Sequence, residues 1–246
     1  SNITYTDGTT VRYFKSERAK QIKHHGYNKK KPGQEDYTSW MDDIKHWNID
    51  YDNLDAIAIC LDANQRNPWL GFDVKKNMLF QPVPNFLNFN CPMFIVDHHF
   101  AHALSCWPII NTEEVDVDFV FDGFGDCLRS NSIFKDGNVI STSTEFSVGI
   151  LMSEWGGAAG IEGHDLDISG KVMALKSYGK INRDFIDQFK DATILDAEAV
   201  FHLPNWIPYK TNDNKDWLAS AHKWVEEKFP EYFLKYANPN DVITYS

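Results

Sequence analysis

The residues most able to do chemistry lie in two short stretches, Asp97-His98-His99-Phe100-Ala101-His102 and Asp122-Gly123-Phe124-Gly125-Asp126. Three imidazoles fall within five positions, directly after the apolar run Met93-Phe94-Ile95-Val96. If the chain turns helical there, His98 and His102 are four residues apart and share one helix face. Two imidazoles at that spacing can close on a single cation, as in helical zinc sites. A carboxylate is the usual third ligand for zinc or ferrous iron, and Asp122, at the end of the next apolar run, is placed to supply it. Lone histidines such as His46, His164, His202 and His222 are ordinary surface or core residues. Three in a row of five call for a cation or a proton relay.

Those stretches need strands to deliver them and turns to expose them. Met93–Val96 reads as a buried strand leading into the histidines, and Asp118–Asp122 as a strand running into the glycine turn. The glycines there permit a sharp turn or a close approach of backbone to ligand. Upstream, β-branched and aromatic residues at 3–6 and 10–14 flank Asp7-Gly8-Thr9 and predict a hairpin. Residues 130–134 and 138–145 around Lys135-Asp136-Gly137 predict a second one, and this pseudo-repeat suggests two related lobes. Asp55–Cys60 reads as a short strand of a parallel sheet. Helices are expected over 34–47, onward from the histidines to Pro108, over 147–162 with a break at Gly156-Gly157, over 169–179 with Gly170 near its start and Gly179 as the terminating glycine, and over 183–190 and 215–229. Residues 63–90 show no periodicity and read as a long excursion. The final Asp241–Ser246 looks like the start of another strand.

Bulk composition narrows the classes. The 246 residues could form one large domain or two small lobes. Lys and Arg number 24 against 35 Asp and Glu, a formal charge of -11, which disfavours non-specific nucleic-acid binding. No apolar run approaches the roughly 20 residues that span a bilayer, and the first residues lack a signal-peptide pattern. Cys60, Cys91, Cys106 and Cys127 form no CxxC pair and read as reduced thiols, so a cytoplasmic setting is expected. One basic cluster runs from Arg12 through Lys31. Within it Arg18, Lys23 and His24 could meet a phosphate or a carbamoyl group, or simply form a polar surface loop.

Taken together, four elements resemble the NodU/CmcH family of O-carbamoyltransferases. Glu17-Arg18 followed by Lys23-His24 is similar to its "ER…KH" element, and Val96–Ala103 resembles its HHxxHA motif. Phe121–Asp126 resembles its DGxGD element. Gly170-Lys171-Val172-Met173-Ala174-Leu175-Lys176-Ser177-Tyr178-Gly179 is similar to GKVMGLAxYG, departing at Ala174 and at Lys176-Ser177. The resemblance implies an α/β, ribonuclease-H-like, actin-type (Kae1-like) two-lobe fold, with a first lobe over 1–110 and a partial second lobe over 111–246. It implies carbamoyl transfer from carbamoyl-adenylate, made from carbamoyl phosphate and ATP by a separate YrdC-like domain, to a hydroxyl of a small molecule. It implies Fe2+ or Zn2+ held by His98, His102 and Asp122 between the lobes, with a further Asp from later in the family's chain. Arg18, Lys23, Gly123, Gly125 and Lys171 would line the nucleotide and substrate, and His99 or His24 would take the proton of the attacking alcohol. The family's first strand, its SGG turn and its YrdC-like domain have no counterpart here. The chain is therefore expected to be the middle of a longer enzyme, inactive alone. The acceptor stays open among sugars, antibiotic-like alcohols and hydroxymethylated bases or nucleotides. Two rivals remain: a DHH-type phosphoesterase, after Asp97-His98-His99, with two metals, and a degenerate actin-like module that binds nucleotide without catalysis.

Overall fold

The computed structural model describes residues 2–23, 25, 39–60, 78–85, 87, 89–109, 117–144, 147–194 and 214–234. It is a mixed α/β protein with helices and several small sheets. The chain divides into two compact units, one of Ser1–Ile59, Arg66–Asp73 and Phe80–Ile95, the other of Cys60–Gln65, Val74–Leu79 and Val96–Ser246.

In the first unit, β1 (Asn2–Thr6) and β2 (Val11–Lys15) pair antiparallel, as the Asp-Gly turn predicts. The Asp7 carboxylate accepts from the backbone N–H groups of Thr9 and Thr10 and from the Thr9 hydroxyl, which closes the turn. A five-residue helix, α1 (Ser16–Lys20), follows where the sequence suggested a polar loop. Of the helix expected over 34–47, the described part is α2 (Trp40–Ile44) and a 3-10 turn over Lys45–Trp47. β3 (Ile57–Ile59) lies parallel to β5 (Met93–Val96), pairing Ile57 with Met93 and Ile59 with Ile95. The third member of that sheet is β4 (Phe80–Val83), inside the stretch read as a loop. Its Pro82 hides it from a periodicity search, and proline is tolerated there because the sheet order β3-β5-β4 puts β4 on an edge.

The second unit carries the larger core. α3 (His98–Cys106) follows β5 and passes into a 3-10 turn over Trp107–Ile109. β6 (Asp118–Phe121), β7 (Asn131–Lys135) and β8 (Asn138–Ser143) form an antiparallel sheet in that order. α3 buries Phe100 and Ala103 with Val96, Val120 and Phe134. A separate cluster joins Ile133 to Trp155, Val172, Phe185, Leu218 and Trp224, drawn from α4 (Val148–Ala158), α5 (Asp165–Lys176), α6 (Arg183–Gln188) and α7 (Asn214–Phe233).

Three glycine expectations are corrected here. α4 runs through Gly156-Gly157 without a break. A Cβ on Gly156 would sit 2.0 Å from Ile168 Cγ2, so the missing side chain lets α5 pack on α4. α5 begins at Asp165, which puts Gly170 inside it rather than near its start. Gly179 is not a left-handed terminator, since its φ is not positive. A Cβ there would lie 2.0 Å from the Lys215 carbonyl, so its role is close approach to α7. The strand expected over 241–246 lies outside the described residues. Among the described residues, no helix is long and apolar enough to cross a membrane.

Candidate metal centre

All three residues expected to ligate a metal meet within the second unit. Asp97 caps α3, its side chain accepting from Phe100 N–H at 2.9 Å, so the helix begins at His98. From there the 3.6-residue period sorts the histidines. His99 turns inward and is fully buried, while His98 and His102 share the opposite side, their ring centroids 5.0 Å apart. Asp122 arrives from the end of β6, whose backbone is tied by Asp122 N–H donating to the Ser130 carbonyl at 3.0 Å. The Ser147 hydroxyl donates to the carbonyls of Asp122 and Gly123 and also caps α4 by accepting from Ile150 N–H. α4 presses on this turn so closely that a Cβ on Gly149 would lie 2.8 Å from Gly123 N and Cα.

The donor atoms form a small triangle. His98 Nε2 lies 2.8 Å from Asp122 Oδ2, His102 Nε2 lies 3.4 Å from the same oxygen, and the two Nε2 atoms are 3.3 Å apart. Ligands at about 2.1 Å from one ion stand about 3.4 Å apart in a tetrahedron and about 3.0 Å apart on an octahedral face. The observed edges span those two values, so the three donor atoms are spaced as the ligands of one ion would be. Two imidazoles and one carboxylate are the donor set of zinc sites and of facial-triad ferrous sites, both of which keep positions open for solvent or substrate. His102 stands half exposed, so the triangle opens toward solvent.

The electrostatics of this cluster are those of a carboxylate holding protons in place of a cation. The hydrogen bond to Asp122 raises the His98 pKa to about 10, with the Cys60 thiol, 3.8 Å from Nδ1, adding to the rise against the cost of burial. Burial pushes the Asp122 carboxyl up, but hydrogen bonds from His102, His98 and Gly123 N–H outweigh it and hold the group well below the usual carboxylate range. His99 goes the other way. Burial, helped by the neighbouring charge on His98, lowers it to about 4, so it is neutral at physiological pH.

The remaining residues expected at the site are placed as follows. His99 Nδ1 lies 2.7 Å from Ser132 Oγ, and its Nε2 is buried with no partner among the described residues. A Cβ on Gly125 would be 2.5 Å from that nitrogen, so Gly125 makes room for the imidazole. Gly123 shapes the turn, and its N–H donates to Asp122 Oδ1 at 2.6 Å. Lys171 lies on α5, where its ammonium donates to the Glu162 carbonyl at 2.7 Å. Arg18 and Lys23 belong to the first unit, exposed on and just after α1. His24 lies outside the described residues. No family model matches the chain, and none of the curated proteins or solved structures matches it.

Residues that sequence reasoning missed surround the triad. Asp126 Oδ2 accepts from His98 N–H at 2.9 Å, and Arg129 donates to Asp97 Oδ2 and, through Nε, to the Asp126 carbonyl. Cys127 and Leu128 both adopt left-handed φ, 60° and 59°. For two successive non-glycine residues this costs about 1–2 kcal/mol each. The sequence carried only a faint signal, the two carboxylates Asp97 and Asp126 beside the ligands, because the burial that makes Arg129 need them is visible only in the structure.

Proposed function

We propose that this chain is the metal-bearing core of an O-carbamoyltransferase of the NodU/CmcH kind, with an actin-type (Kae1-like) fold. The observation that carries the reading is the His98–His102–Asp122 triangle, formed by the two motifs that resemble that family. A bound ferrous or zinc ion would act as a Lewis acid, polarising the acyl donor or the acceptor hydroxyl and neutralising nucleotide phosphate. The chain's own contribution is positional. The α3 cap fixes two ligands on one helix face, and the Ser147 hydroxyl and the α4 glycine hold the turn that bears the third. Carbamoyl-adenylate is the donor in this reading, with ATP and carbamoyl phosphate used by a YrdC-like partner domain, and a small-molecule alcohol is the acceptor in a cytoplasmic setting.

His99 fits the proton-acceptor role poorly. A base must reach its proton, and this ring is enclosed between Ser132 and Gly125. We assign it a positioning role beneath the triad and leave proton acceptance to His24 or to solvent. The phosphoesterase reading needs Asp97 at the metal, whereas its carboxylate is occupied by Phe100 N–H and Arg129.

Metal analysis tests the proposal. One iron or zinc per chain is expected, absent from His98→Ala and His102→Ala, with no release of AMP from carbamoyl-adenylate by this chain alone. Two manganese ions per chain would favour the phosphoesterase, and no bound metal would favour a non-catalytic module.

A further inference from the structure

The geometry points to Arg129 as the residue that sets the shape of the metal triangle, by tying together the two chain segments that bring its ligands. The inference rests on the reading of His98, His102 and Asp122 as a metal centre. Two ligands come from α3 and one from the turn after β6, and no covalent feature fixes one segment against the other. Arg129 bridges them. One Nη donates to Asp97 Oδ2, on the carboxylate whose other oxygen caps α3, and Nε donates to the Asp126 carbonyl at 2.9 Å. Asp126 in turn accepts the His98 N–H at 2.9 Å. The path from helix cap to guanidinium to turn and back to the first ligand is therefore closed.

Three further observations separate this role from a generic stabilising ion pair. First, Arg129 is 1% exposed and its Nη1 is buried without a partner among the described residues. A buried guanidinium left short of one partner is a poor stabiliser, and well-packed apolar side chains commonly serve as well or better. Its placement is dictated by the two groups it joins. Second, the residues between Asp126 and Arg129 are the successive left-handed Cys127 and Leu128. That turn is closed by Gly125 N–H donating to the Arg129 carbonyl at 2.6 Å and by Arg129 N–H donating to the Asp126 carbonyl. Strain of this kind persists only where its surroundings over-determine it. Third, Nε and one Nη of a single rigid guanidinium reach two acceptors, so their spacing is fixed by the planar fork, whereas a flexible ammonium is a single point donor that sets no such spacing.

Arg129 touches none of the three metal-binding atoms, so it is a positioning residue. The test uses Co2+ as the probe on the full chain, reading its visible d–d bands and its affinity. In Arg129→Met we expect Co2+ affinity to fall 10- to 100-fold, the range typical of lost outer partners. The band pattern should change as well, which a loss of global stability alone would not produce in the folded fraction. Arg129→Lys should restore neither. Asp97→Asn keeps a capping oxygen while removing the ion pair, and should shift the bands in the same sense if Arg129→Met does not fold. Wild-type protein that binds no Co2+ would remove the metal reading itself. Wild-type binding with unchanged bands and affinity within twofold in a folded Arg129→Met, or in a folded Asp97→Asn, would overturn the role given to Arg129 alone.

Discussion

Two histidine–carboxylate clusters in the second unit invite comparison. In one, His98 and His102 on α3 face Asp122. In the other, His222 and Glu226 on α7 stand four residues apart, with His222 Nδ1 2.9 Å from Glu226 Oε1. Ligand types and helical spacing are nearly the same, yet the second cluster already contains a cation. Lys176 Nζ lies 2.7 Å from His222 Nδ1 and 3.9 Å from Glu226 Oε1. The consequences run in opposite directions. His98 is raised to about 10 by Asp122, whereas His222 is lowered by burial and then by Lys176, with Glu226 opposing. A tethered ammonium satisfies the carboxylate and repels a metal. What distinguishes the α3 cluster is that, among the described residues, the groups that hold Asp122 as a carboxylate are two histidines and the Gly123 N–H, with no tethered ammonium at its oxygens.

The sharpest way to break this comparison is to delete one donor from each cluster. His98→Ala or His102→Ala should weaken Zn2+ or Co2+ binding on the order of a thousandfold, given the several kcal/mol each ligand supplies. His222→Ala should leave it unchanged, as equilibrium dialysis would show. Equal losses would mean that the triangle is not the binding site.

Next in size is pH dependence. His98 must lose its proton to ligate, and its pKa in the metal-free protein is about 10. Metal affinity should therefore rise about tenfold per pH unit from 6.5 toward 9. The metal-free protein should show the opposite trend. A raised histidine pKa contributes stability that is full below 6.5 and is lost as pH climbs through about 10. A flat affinity profile over that range would show that His98 carries no such proton.

His99 supplies a third environment and sharpens the contrast. Its pKa is depressed to about 4, so its contribution is present above 6.5 and is lost as pH falls toward 4. That loss is on the order of 3 kcal/mol for the metal-free protein. Urea denaturation in His99→Gln should lack this acid limb while keeping the alkaline trend of His98. The smallest effect is expected at the other cluster. Lys176→Met should raise the His222 pKa by removing the neighbouring charge, and an NMR titration would record it. It should create no tight metal site, because only two donors remain.

How far the sequence disclosed this arrangement depended on the range of the interactions. The β5–α3 junction was legible because a four-residue apolar run and a polar cap act locally, and so was the pairing of β1 with β2 around Asp7-Gly8. The histidine spacing named one side of the triangle, and Asp122 was found because it follows a strand. What was hidden depends on contacts between distant residues. Gly156 reads as a helix breaker until Ile168 is seen against it. Gly179 reads as a terminator until the Lys215 carbonyl appears. Arg129 meets Asp97, 32 residues away, and no periodicity reports such a pair. His99 looked equivalent to its neighbours in composition and differs from them only through the face it occupies.

The space that Gly125 leaves for His99 has a further consequence. An added methyl group at 125 would collide with a ring that Ser132 holds and the core surrounds, so neither residue can change alone without cost. The two positions behave as one volume shared between two addresses. Gly125→Ala should be harmful by itself and tolerated when paired with a smaller residue at 99, such as His99→Ser. Among natural variants of this chain, the sizes at 99 and 125 should then rise and fall in opposition, and a survey of such variants could detect that exchange without measuring any metal at all.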